Sequence, residues 1–214
     1  MKLLRRFPFV FFMGITLLLV GVMSATAWGR IDSTTMRLFG LSPDHVYAFN
    51  LYRLVTSVFF THGGIIFWRS WAMLCLCLFW CEYEAGTRTT IVVFWLAHVG
   101  TIMLLAWVVV PALLFTRPES GDLIRVASDV GPSAGYIGCL AVGTLSIHNR
   151  ARRMLLWWAL GAILLGMVLL RTELIHTNPA FWLADVSHLI AFLLTSAGAI
   201  TYTRSRRPNG MSSP

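Results

Sequence analysis

The chain is poor in charge. Charged residues make up 12% of its 214 residues, where a soluble domain carries about 25%. Acids are the scarcer sign, nine against 17 lysines and arginines. Hydrophobic residues reach 57%, and the mean hydropathy is +0.72. So little polar surface cannot cover so many apolar side chains in water, which excludes a soluble globular domain. A clustered basic face is also missing, so the net charge of +8 does not point to nucleic acid. The four cysteines, Cys75, Cys77, Cys81 and Cys139, form neither a disulfide framework nor a zinc spacing. Cys77 and Cys81 share a helix face, but small apolar packing is the better reading. No internal repeat is evident.

What the chain has is long apolar runs. A bilayer core needs about 20 apolar residues per helix, and six runs approach that length: 7–28, 65–81, 91–115, 131–147, 154–170 and 181–202. The fourth is short and rich in glycine. Pro118, Gly121 and Pro132 separate it from the third, and Asn178-Pro179 precedes the sixth. The expected fold is an all-α membrane protein of six transmembrane helices over 1–204, with a disordered cytoplasmic tail at 205–214.

Orientation follows from the basic residues of the connecting loops. One side holds Lys2, Arg5, Arg6, Arg88, Arg150, Arg152, Arg153, Arg204, Arg206 and Arg207, against the acids Glu82 and Glu84. The other side balances seven basic residues with seven acids. The net charge therefore lies on one face, assigned to the cytoplasm, and both termini fall there. A plasma-membrane location is expected. Lys2, Arg5 and Arg6 ahead of an apolar run and Ala25-Thr26-Ala27 also resemble a signal peptide, but the run is long for one, so an uncleaved helix is preferred. The loop 29–64 carries Phe39, Tyr47, Phe49 and Tyr52 and is expected at the outer interface.

Ionisable groups within a membrane are costly and are functional candidates by default. The polar candidates are His98, Asp129, Ser133, Asp185 and His188. Gly131, Gly135, Cys139 and Gly143 recur every four residues on the fourth run. Ala184, His188, Ala191, Thr195 and Gly198 follow a 4-3-4-3 spacing on the sixth. Two stripes of small residues allow close helix approach, which would bring Ser133 near His188. Such a pair is either a packing hydrogen bond or a nucleophile with its base. Asp129 and Asp185 either cap helix N-termini or orient the histidine as a third member. His98 is expected to hydrogen-bond within the bundle. His62 is expected to stabilise its loop, and His45, His148 and His176 to be solvated.

Gly131-Pro132-Ser133 and His188 are where the chain resembles the rhomboid family of intramembrane serine proteases. That family has a six-helix core, a Gly-x-Ser motif opening the fourth helix and a histidine on the sixth. Further likeness lies in 53–64, which leads into the second helix, and in Glu82 four residues before Gly86. The resemblance spans 53–203. It implies Ser133 as nucleophile, His188 as base, Gly131 and Gly135 as motif glycines, transmembrane proteins as substrates, and no cofactor or metal. The chain departs from the family at Phe67 and Trp71, where side-chain oxyanion donors are usual, and at Ala134, Ala191 and Thr195. An inactive relative that binds transmembrane segments of clients is the alternative implied by those departures.

Overall fold

Six apolar stretches become six main helices in the computed structural model, which describes residues 6–205. They are α1 (Pro8–Met23), α2 (Ile65–Ala85), α3 (Thr87–Leu104), α4 (Ser133–Leu145), α5 (Arg150–Leu170) and α6 (Pro179–Ser205). Lys2, Arg5, Arg206, Arg207 and the tail 206–214 lie outside the described residues. Among those residues the chain is helical, and its only β pairings are two isolated bridges, Arg30 with Gly63 and Leu41 with Asp129.

Four helices are long and apolar enough to cross a membrane: Ile65–Ala85, Thr87–Thr116, Arg150–Leu170 and Pro179–Ala199. The chain is therefore read as a membrane protein. The other two are shorter, 16 residues for α1 and 13 for α4. At 1.5 Å per residue they span roughly 24 and 20 Å, less than the ~30 Å hydrocarbon core.

α4 lies at the centre. It packs against α2, α3, α5 and α6, and every residue from Ala134 to Thr144 except Leu140 is buried. Glycines permit this. A Cβ on Gly135 would lie 2.4 Å from the Phe94 ring, and one on Gly143 2.3 Å from Trp80. The expected single seam with α6 is thus corrected. Gly135 meets α3 and Gly143 meets α2, while Gly138 touches both Ala97 and Thr195. A strict four-residue repeat advances about 40° around a helix at each step, so it cannot stay on one neighbour.

α1 is held at both ends of α2. Glu82, buried near the end of α2, accepts hydrogen bonds from the Phe9 and Val10 N–H groups at 3.3 and 3.0 Å and from the Thr87 hydroxyl at 2.6 Å. It is a cap supplied from another helix, since Phe7 at the N-cap provides no side-chain acceptor. Farther along, the Trp71 indole donates to the Gly14 carbonyl at 2.9 Å, and Phe67, fully buried, fills the space beside Gly21.

The loop before α2 carries helices Ser33–Phe39, Pro43–Tyr47 and Arg53–Thr56 and the 3-10 turn Ser57–Phe59. It is tied to the approach to α4. Leu41 and Asp129 exchange backbone hydrogen bonds of 2.9 Å, and Gly131 N–H donates to the Ser57 carbonyl at 3.0 Å. Arg53 is buried and its Nη1 donates to the Gly40 carbonyl at 2.6 Å. Trp28 and Phe49 remain exposed. His45 is not a solvated loop residue as expected: it completes a capping box with Ser42.

α3 continues through a π-helical turn, Leu105–Val109, into Val110–Thr116. Pro111 brings no N–H to this turn. The Tyr47 hydroxyl donates instead to the Ala106 carbonyl, fixing the loop against the widened turn.

Candidate active site

α4 starts at Ser133, one residue later than Pro132 at its first turn would give. Pro132 is the N-cap and supplies no side-chain acceptor. Gly131 before it sits at φ +140°, where a side chain is disfavoured. The N–H groups of Ser133, Ala134 and Gly135 therefore begin a helix that no side chain caps. Such an end carries partial positive charge.

Beside this helix end is a cavity of about 40 Å³. Its polar wall consists of Ser57, His98, Thr101, Asp129, Ser133 and Ser187, and its apolar wall includes Leu41, Leu105 and Leu183. Four distant stretches thus meet there: the 3-10 turn, α3, and the N-terminal ends of α4 and α6. The bundle around it is otherwise closely packed by Phe94, Phe192, Leu74 and Leu78.

His188 follows the cavity residue Ser187 but is not among the lining residues. Its Nε2 is buried and has no hydrogen-bond partner within the protein. No hydrogen bond joins it to Ser133. The packing hydrogen bond that the stripes suggest is therefore not formed, although α4 and α6 are in contact.

Neither aspartate orients His188. Asp129 Oδ1 takes a hydrogen bond from the Val130 N–H at 2.8 Å and pairs with His62 Nε2 at 2.9 Å. It is not the cap of α4, because its carboxylate is turned to the loop. Asp185 Oδ2 lies 3.4 Å from Arg171 Nη1, at the far end of α5, and caps nothing. His62 consequently does more than steady its own loop: it clamps that loop to the strand-like lead-in of α4.

The hydrogen bond to Asp129 holds the His62 pKa above its ordinary 6.5, against burial, which lowers it. Its folded value thus exceeds its unfolded one. The pair contributes its full stability below pH 6.5 and loses it as pH rises through the folded pKa. Thermal unfolding in detergent across a pH series is expected to show this decline on the alkaline side of 6.5. Asp129→Asn should flatten it; equal slopes in both proteins would contradict the pairing.

Phe67 and Trp71 face α1 rather than Ser133, as their contacts with Gly21 and Gly14 show. Ser57 and Thr101 are cavity residues that no motif marks, and His98, expected to hydrogen-bond within the bundle, lines the cavity with its Nε2 unpartnered. Their one sequence signal is the i, i+3 spacing of His98 and Thr101 on an apolar helix, which puts both on one face. The three free buried cysteines line the core, with the Cys139 thiol 3.7 Å from the Thr90 carbonyl.

Compared with known proteins, the chain matches no family model, no curated protein and no solved structure.

Proposed function

We propose that the chain is an intramembrane serine protease of rhomboid type, cutting membrane-anchored proteins near the outer membrane face. The observation that carries this reading is Ser133 at the uncapped start of a buried central helix, opening on a polar cavity inside an apolar bundle. Ser133 Oγ attacks the scissile carbonyl. His188 Nε2, which is buried without a protein partner, takes the hydroxyl proton and returns it to the leaving amine. The first-turn N–H groups of α4, which no side chain caps, receive the oxyanion. Loose nucleophile–base geometry before substrate binds is common in such sites. The chemistry requires no cofactor.

In this reading all six helices cross the plasma membrane, α1 and α4 as short spans shielded by their neighbours. Both termini are cytoplasmic. The partners are lipid and the transmembrane segments of substrates.

A second reading rests on two observations: Ser133 and His188 are not hydrogen-bonded, and Phe67 and Trp71 are committed to α1. It makes the chain a pseudoprotease that holds transmembrane clients without cutting them. Cleavage of a membrane-anchored reporter in liposomes separates the two. The protease reading expects cleavage by the wild type and none by Ser133→Ala. No cleavage by either protein favours the second, and equal cleavage by both removes Ser133 as the nucleophile.

A further inference from the structure

Three buried polar atoms of the cavity residues have no hydrogen-bond partner within the protein: Ser57 Oγ, Thr101 Oγ1 and His98 Nε2. Their residues are only 1%, 2% and 7% exposed. An unsatisfied buried group costs roughly 1–3 kcal/mol, so three around one cavity are unlike ordinary packing. The cavity, about 40 Å³, exceeds the ~10–15 Å³ that one water requires. Water is the partner that fits both the size and the polarity.

His98 Nε2 has no hydrogen-bond partner within the protein. In the neutral ring with its proton on Nδ1, Nε2 is the lone-pair nitrogen. A histidine in that form is a base, on a different helix from His188.

We propose that His98 is the general base of the deacylation step, activating a water held with Ser57 and Thr101. The proposal rests on Ser133 being the nucleophile. Once Ser133 Oγ carries the acyl group, His98 Nε2 takes one proton from the water as the water oxygen bonds to the acyl carbon. The tetrahedral intermediate then collapses. Its bond to Oγ breaks, Oγ takes the proton from the imidazolium, and a carboxylic acid leaves. The two histidines thus divide the reaction, His188 serving acylation and His98 hydrolysis.

The test is nitrophenolate release from p-nitrophenyl acetate by the full chain in detergent, with mass analysis of the Ser133 peptide. His98→Ala and His98→Gln are expected to keep a Ser133-dependent burst, accumulate acetyl-Ser133, and lose about 10²-fold in the steady rate. His188→Ala should instead lose the burst. Thr101→Val, close in shape to the native side chain, should slow the same step and guards against a folding defect in the histidine variants. An unchanged steady rate, or a slow rate without acetyl-Ser133, in His98→Gln and Thr101→Val overturns the proposal while Ser133 stands. No Ser133-dependent burst in the wild type overturns the nucleophile and this inference together.

Discussion

Ser133→Ala, His188→Ala and the double variant are each expected to lower reporter cleavage by a similar factor, on the order of 10³ or more. Groups that act as one unit are not additive: once the nucleophile is gone, its base has nothing to deprotonate. A purely structural His188 behaves differently. Its buried Nε2 has no partner within the protein, so removing the ring would damage packing independently of Ser133, and the two losses would combine. The cycle therefore separates a dyad from two unrelated polar residues on adjacent helices. Unfolding curves of all four proteins give the packing contribution directly. Multiplying losses would count against the dyad.

The second large effect is on stability. Glu82 is 4% exposed and accepts three hydrogen bonds, two of them from the otherwise uncapped start of α1. Glu82→Ala leaves the buried Phe9 N–H and the partly buried Val10 N–H and Thr87 hydroxyl without that acceptor. With roughly 1–3 kcal/mol for each buried group so exposed, a total on the order of 3–5 kcal/mol is expected. Glu82→Gln retains one carbonyl acceptor and should lose less. The damage should be local first. The α1 contacts of Trp71 and Phe67 depend on that anchoring, so amide exchange in α1 should accelerate before exchange in α4. Thermal unfolding and hydrogen exchange in detergent read both effects. Wild-type stability in Glu82→Ala would show that α1 is held by apolar packing alone.

Most of the helical frame was legible in the sequence, because a bilayer forces each helix to announce itself as an apolar run. The runs at 65–81 and 91–115 extend in the structure to Ile65–Ala85 and Thr87–Thr116. Their ends carry residues such as Glu82 and Thr87, which hydropathy reads as breaks but which satisfy each other through a hydrogen bond. The short fourth helix was legible from its glycines. Its packing was not, since Gly135, Gly138 and Gly143 each serve a different neighbour.

The candidate site was legible only in part. Ser133 stood out by its position at the start of a glycine-rich run, and His188 by its place on a small-residue stripe. The partners of the aspartates were hidden, because His62 and Arg171 come from loops whose path no periodicity encodes. The meeting of Ser57 with His98 was hidden for the same reason. The two are 41 residues apart, and only the fold of the loop over the end of α3 puts both beside Ser133. Phe67 and Trp71 were visible as departures from the rhomboid pattern. Their use, against Gly21 and Gly14 of α1, required the packed bundle.

The proposed protease activity depends on Ser133 acting as a nucleophile activated by His188 within the membrane domain. Labelling with a fluorophosphonate, followed by mapping of the modified peptide, addresses it most directly. Modification is expected at Ser133 in the wild type, with none in Ser133→Ala and a strongly reduced rate in His188→Ala. An unlabelled wild type that is folded, or labelling that survives Ser133→Ala unchanged, would contradict it.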